Sequence, residues 1–287
     1  MFKQRVITAL VLAPLALCAV FFLPLPYFAI FISAAFLIGA WEWSLFCGYR
    51  KLSSQLLYCS LIGLSLLGLY IALPDTPYWP VQMDDLSNLM LGLGVLWWLV
   101  AVLLVLSFPK SSASWSQGHL RRALMGWFTL VPAWTAVLLV RSVNYHQDSY
   151  TGAWLIFLLL GIVWAADIGG YLVGKPFGKR KLLPAVSPGK TLEGMAGGFA
   201  MVLLLVTAVS AYLGWPEQTL TWYLAALLLT LLSVFGDLSE SMFKRVAGLK
   251  DSGSIFPGHG GILDRIDSLT ATAPLYALLL ALLGGFA

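Results

Sequence analysis

The chain has 287 residues, of which 60% are apolar and 10% charged, with a net charge of +4. Its mean hydropathy is +0.86, whereas a soluble domain is usually about half apolar and about one quarter charged. These values exclude a soluble globule, a disordered chain and, with only three Cys, a disulfide scaffold. The apolar runs are long and continuous, without the two-residue alternation of a transmembrane barrel.

A spanning helix needs about 20 mostly apolar residues. The pattern predicts an all-α, polytopic integral membrane protein with about nine such helices. The first runs from Val6 to Leu23 and stops at Pro24; the second runs from Pro26 to Cys47. Only a Leu-Pro-Leu-Pro stretch separates them. The next three are Ser54 to Ala72, Leu86 to Ser107 and Ala123 to Val140. The last four are Gly152 to Val173, Leu192 to Leu213, Leu220 to Met242 and Leu269 to Phe286.

Basic residues concentrate in cytoplasmic loops. With the N-terminus inside and nine crossings, the inner segments hold every one of the 17 Lys and Arg residues except Arg141. The outer loops carry Asp75, Asp84, Asp85, Asp148 and Glu217, with no Lys. The expected topology is therefore N-terminus cytoplasmic and C-terminus outside. Lys3 and Arg5 before an apolar run resemble a secretory signal, and Leu15-Ala16-Leu17-Cys18 faintly resembles a lipoprotein cleavage site. The topology needs this span, so it is expected to stay uncleaved.

Cys18, Cys47 and Cys59 lack metal-ligand spacing and are expected to be small buried hydrophobes. The polar stretch from Ser107 to Arg122 is expected to lie at the membrane surface. No internal repeat is visible, which weakens a carrier reading. Residues 1–150 are expected to form about five spans serving as scaffold, dimer and lipid-facing surface. Residues 151–287 are expected to form the catalytic region, about four spans with cytoplasmic loops at 174–191 and 243–268.

The polar residues collect in those two loops and the adjacent helix ends. Of the 13 acids, Asp167, Glu193, Asp237, Glu240, Asp251, Asp264 and Asp267 fall there. Acids and bases at this density beside a membrane suggest a metal and a polyanion sharing one site. Asp237, Glu240, Ser241 and Lys244 follow i, i+3, i+4, i+7 spacing and share one helix face. Asp237 lies within an apolar run, where an ionisable group usually faces a cavity or a partner. For Glu240 an internal ion pair with Lys244 at i, i+4 is an equal alternative.

Asp264, Asp267 and Ser268 repeat this pattern at the start of the ninth helix. The helix macrodipole would favour one acid there, but it explains two on one face less well. The Gly-rich run Pro257-Gly258-His259-Gly260-Gly261 can turn backbone N–H groups onto an anion. Asp264 and Asp267 would repel a phosphate unless a divalent cation lay between, so the residue types favour Mg²⁺ with phosphate. Gly189-Lys190-Thr191 resembles the end of a Walker A loop, but position 184 is Pro where that motif requires Gly. Lys190 remains a candidate point charge for phosphate, and Thr191 a candidate N-cap. Lys175, Lys179, Arg180 and Lys181 fit a basic membrane anchor. His259 is either a plain loop residue or a phosphate contact; His119 and His146 have no supporting neighbours.

The stretch from Ser241 to Asp267 carries Ser, Lys-Arg, Lys-Asp, Pro-Gly-His-Gly-Gly, Asp-Arg and Asp at fixed spacing. It closely resembles the signature of CTP:phosphatidate cytidylyltransferases, also called CDP-diacylglycerol synthases. Asp167-Ile-Gly-Gly-Tyr171, Ser187-Pro-Gly-Lys-Thr191 and Gly236-Asp237 are similar to segments of bacterial members. Leu192 departs from the Trp found in many of them. The resemblance covers residue 160 onward in detail, and the N-terminal half only as apolar spans.

The resemblance implies that phosphatidate and CTP give CDP-diacylglycerol and pyrophosphate in a bacterial inner membrane. It implies a Mg²⁺-dependent enzyme, homodimeric, with a cytosolic site and no nucleic-acid partner; this many acids leave room for a second, monovalent cation such as K⁺. By motif position, Asp237, Asp251, Asp167 and Asp264 would hold metal. Asp237, Asp251, Asp264, Asp267 and Lys250 would be catalytic. Ser187, Lys190, Thr191, Ser241, Lys244, Arg245, His259, Gly260, Gly261 and Arg265 would bind substrate. Alternatives are a CTP-dependent lipid kinase, a cytidylyltransferase acting on an isoprenoid lipid and, from another class, an ion-coupled transporter. Acids gathered on one side of the membrane disfavour transport.

Overall fold

A computed structural model describes residues 2–73, 83–214, 219–255 and 260–282. The helices are α1 (Phe2–Phe22), α2 (Leu25–Phe46), α3 (Leu52–Ala72), α4 (Asp85–Leu106), α5 (Ser112–Trp115) and α6 (His119–Ser142). They continue with α7 (Thr151–Phe177), α8 (Leu192–Leu213), α9 (Thr219–Ala247) and α10 (Leu263–Leu282). All except the four-residue α5 overlap the predicted spans; the end of the ninth, residues 283–286, lies outside the described residues. By length and composition, α2, α3, α4, α6, α7, α8 and α9 are apolar enough to cross a membrane. In α1 the stretch Leu10–Phe22 is a shorter apolar helix, and α10 opens with Asp264, Arg265 and Asp267.

Two polar segments differ from expectation. Residues 174–191 are not an open loop: α7 runs through Lys175 to Phe177, and a hairpin follows. Its strands β1 (Lys181–Leu183) and β2 (Ser187–Thr191) pair antiparallel. Backbone groups at a membrane rim need partners, and this ladder supplies them. The 107–122 stretch is not only a surface segment. Trp115 in α5 is buried, with its ring 5.1 Å from that of Phe243.

Helix α6 is the centre of the bundle. It packs against α2, α3, α4, α7 and α10, and every residue from Thr129 to Ser142 is buried. Gly126 admits two neighbours, since a methyl there would strike Trp43 Nε1 and Tyr58 Oη. Trp43 Nε1 instead donates to the Arg122 carbonyl at 2.9 Å, and the Tyr58 hydroxyl donates to that of Ala123 at 3.3 Å.

The two ends of α6 close two other helices. The last carbonyls of a helix lack internal partners and carry partial negative charge. Arg122 Nη1 donates to Phe46 O at 2.8 Å, at the end of α2. Arg141 donates through Nε to Val20 O at 2.8 Å and through Nη2 to Leu23 O at 3.2 Å, at the end of α1. Its Nη1 reaches Ser149 O at 3.0 Å, and its guanidinium lies 5.7 Å from the Phe28 ring centre and 5.2 Å from that of Tyr145. Arg141, the one basic residue expected outside the inner segments, is thus a buried pin, absorbed by carbonyls and rings.

Arg141→Gln should destabilise the protein by about 2–4 kcal/mol. A hydrogen bond from a charged donor contributes about 1.5–3 kcal/mol, and the amide can replace only part of the set. Thermal unfolding in detergent measures this; a wild-type midpoint would show that the arginine does not close α1.

Candidate active site

Helices α7 and α8 approach closely because small residues face each other. A methyl on Gly169 would strike Gly197 O, and one on Gly197 would strike Val173. One on Gly198 would meet Ala166 O at 2.8 Å. Small residues permit such backbone approach in membrane bundles. Thr191 caps α8, its hydroxyl accepting from Gly194 N at 3.1 Å, as expected. Glu193 accepts from the amides of Lys179 and Arg180 and lies 3.5 Å from the Arg180 guanidinium. That acid therefore ties the hairpin to α8.

A cavity of about 450 Å³ opens between α7, the hairpin, α8 and α9. Asp167, Lys190, Thr191 and Asp237 line it, together with Gly170, Gly174, Gly189 and Gly194. Lys190 Nζ lies 2.7 Å from Asp237 Oδ2 and 3.4 Å from Val234 O. Ser241 donates to Asp237 Oδ1 at 3.3 Å. Asp267 is within electrostatic reach of Asp237, Lys190 and Asp167, and it accepts from Ser268 N at 2.6 Å.

A second cluster follows one turn along α9. Lys244 Nζ lies 2.6 Å from Asp264 Oδ1 and 3.5 Å from Glu240 Oε1. The expected i, i+4 pair is therefore present, and Lys244 is shared with a second carboxylate, Asp264. Glu240 is 5% exposed, and neither of its carboxylate oxygens has a hydrogen-bond partner.

The Gly-rich turn does bind anions with its backbone, but the anions belong to the protein. Gly261 N donates to Asp264 Oδ2 at 2.8 Å, and Ser252 N does so at 3.0 Å. Ile262 N and Leu263 N, at the start of α10, donate to Glu42 Oε1 and Oε2 at 3.0 and 2.9 Å. The Gly261 amide is therefore already taken by Asp264 in this structure. Gly260 has φ +77°, and a side chain there would collide with Asp264. Asp251 and Lys250 are exposed on the loop after α9. Ser187 opens β2, half-buried, and Arg245 Nε donates to Val186 O at 3.3 Å, clipping the hairpin turn to α9. Arg265 is exposed at the first turn of α10. His259, with Pro257 and Gly258, lies outside the described residues.

Glu42 was invisible from the sequence motifs. It sits between Trp41 and Trp43 in an apolar helix of the N-terminal half, and it is 1% exposed. The available signal was the lone acid itself: an ionisable group inside a span usually has a partner or a function.

The donors fit Mg²⁺. Asp167 and Asp237 offer hard oxygen atoms to one open cavity. Mg²⁺ usually takes one or two carboxylates and completes its shell with water and substrate phosphate. Among the described residues, no group of three or more His, Cys, Asp or Glu is placed to hold a metal ion.

A profile described as "Cytidylyltransferase family" matches residues 3–283. The chain belongs to this family. A phosphatidate cytidylyltransferase of Pseudomonas aeruginosa is 43% identical over 281 residues, covering 98% of this chain and 97% of its own. One of Haemophilus influenzae is 40% identical over 284 residues, covering 96% and 98%. One of Bacillus subtilis is 35% identical over 283 residues, covering 98% of each chain. The cytidylyltransferase profile begins before α2, so the family match includes Glu42 as well as the motif-rich second half.

Removing Lys244 should expose the cost of its cluster. Lys244→Met should destabilise by about 3–5 kcal/mol, because it leaves buried carboxylates uncompensated. Adding Glu240→Gln should recover part of that loss. Thermal unfolding of the four proteins of this cycle provides the check; additive losses would mean that the two groups do not interact.

Proposed function

We propose that this protein is a phosphatidate cytidylyltransferase, transferring CMP from CTP to phosphatidic acid and releasing CDP-diacylglycerol and pyrophosphate. The observation that carries this reading is the 43% identity over 98% of the chain to a relative of that name. The site supports it independently, because two polyanions must meet where Lys190, Lys244 and Arg265 gather beside carboxylates.

A second feature supports a lipid reactant. An apolar cleft of about 350 Å³ lies between α1, α2, α6, α7 and α10. Leu12, Phe28, Leu159, Trp164 and Ile266 line it, and Arg265 lies on its wall. Arg265 is also within electrostatic reach of Asp167. One guanidinium therefore borders both the apolar cleft and the polar cavity. Acyl chains would occupy the cleft, with the lipid phosphate near Arg265 and the triphosphate in the cavity.

In the reaction, a phosphatidate oxygen attacks the α-phosphorus of CTP, and the bond to the bridging oxygen of the β-phosphate breaks. The nucleophile is already anionic, so no strong base is required. Lys190 and Lys244 would hold phosphate oxygens as point charges, and the rigid helix ends would fix the approach. Most of the acceleration is then positioning and charge neutralisation. Asp237, Asp251, Asp167 and Asp264 are the proposed Mg²⁺ ligands, and the ion would supply Lewis-acid stabilisation of the transferring and leaving phosphates. A second, monovalent cation such as K⁺ would draw on the same group of acids. We place the site on the cytosolic side of a bacterial inner membrane, where CTP is available, in a homodimer.

CTP labelled at either the α- or the γ-phosphate, with phosphatidate and Mg²⁺, tests the reading. Label should enter lipid from α-labelled CTP only. Label from γ-labelled CTP would mean a lipid kinase, and none from either would remove both enzymes for this lipid. Asp251→Asn should lower kcat by at least about 100-fold, the scale of a lost electrostatic stabiliser, with an unchanged melting midpoint. Lys181→Gln should stay within about twofold of wild type, since surface charges act weakly. A full loss there would give the basic hairpin more than an anchoring role.

A further inference from the structure

Glu42 belongs to α2, yet among the described residues every group that donates to its carboxylate comes from Ser252, Ile262 or Leu263. Ile262 N reaches Oε1 at 3.0 Å; Leu263 N and Ser252 Oγ reach Oε2 at 2.9 and 3.0 Å. The carboxylate is 1% exposed. Among the described residues no ion pair includes it. A carboxylate buried without a cation is costly, and the start of α10 compensates through its free amides and its dipole.

The surrounding loop is shaped around this group. A methyl on Gly253 or on Gly261 would overlap the Glu42 carboxylate. The loop glycines therefore make room for an internal anion. Ser252 carries the connection onward. Its Oγ lies 3.0 Å from Glu42 Oε2 and 2.8 Å from Asp264 Oδ2, so its one hydroxyl proton can be donated to either. Asp264 in turn holds Lys244 at 2.6 Å. A continuous polar chain thus runs from α2 through the loop to α10 and α9.

We propose that Glu42 is a positioning residue of the active site: it fixes the loop bearing Asp251 and the first turn of α10 bearing Asp264 and Arg265. It touches no substrate. A residue from the N-terminal half thereby sets the geometry of phosphate-binding groups in the C-terminal half. The catalytic part of this inference rests on the cytidylyltransferase reading above; the anchoring part does not.

Glu42→Gln keeps the size but offers one acceptor oxygen in place of two. Full-length protein in lipid nanodiscs would be compared with wild type by hydrogen exchange, kinetics and thermal unfolding. Exchange at residues 249–266 should rise at least about tenfold, while α4 and α6 keep wild-type exchange. The kcat should fall about 10–100-fold, the usual effect of losing a group that orients a ligand. KM for CTP should stay within about threefold, and the melting midpoint within a few degrees. Unchanged loop exchange, or faster loop exchange with wild-type kcat, would overturn the proposal. Equal acceleration throughout α2, α3 and α6 would also overturn it, by reducing Glu42 to a general fold residue. If wild-type protein transfers no CMP, the cytidylyltransferase reading falls, while the exchange data still decide whether Glu42 anchors the loop.

Discussion

Charge placed inside a membrane protein must be balanced largely by the protein itself, because little water or bulk salt reaches it. In this bundle the balance is local and alternating. Lys190 answers Asp237; Lys244 answers Asp264 and Glu240. Glu42 is answered by backbone amides, and Arg141 by backbone carbonyls. Helix ends supply the partial charges that side chains do not. The site can therefore hold many ionisable groups in a small volume while the fold remains a close-packed bundle of apolar helices.

The same constraint explains why α6 is central. Two of its three arginines, Arg122 and Arg141, satisfy the carbonyl ends of α2 and α1. Those helices are thereby held at fixed height, and α2 presents Glu42 at the level of the loop after α9. On the other flank, the glycines of α7 and α8 bring Asp167 and Lys190 to opposite walls of one cavity. The first arrangement secures the loop and the second secures the cavity. Asp237 and Lys244, on one face of α9, join them.

Much of this was legible in the sequence, for reasons that differ by element. The spans were visible because hydrocarbon demands long apolar runs, and the helices begin and end within a few residues of them. Thr191 as a cap and Glu240 with Lys244 followed from local spacing. Glu42 did not, because its partners lie 210 to 221 positions away and no local pattern encodes them. The destination of the Gly261 amide was hidden for a related reason. A glycine turn announces that an anion is near, but not whether the anion is substrate or a side chain. The hairpin at 181–191 was missed because its short strands have no repeating apolar pattern.

The distance between Glu42 and its donors also has a consequence in time. At about 5–20 residues per second, the 221 positions separating Glu42 from Leu263 take roughly 10–45 s to synthesise. Throughout that interval α2 carries a carboxylate whose partners do not yet exist. The early helices must either keep that group near water at the membrane surface or hold it in the insertion machinery. Arrival of α10 then supplies the amides that α2 has lacked, and changes it from an unsatisfied segment into a satisfied one.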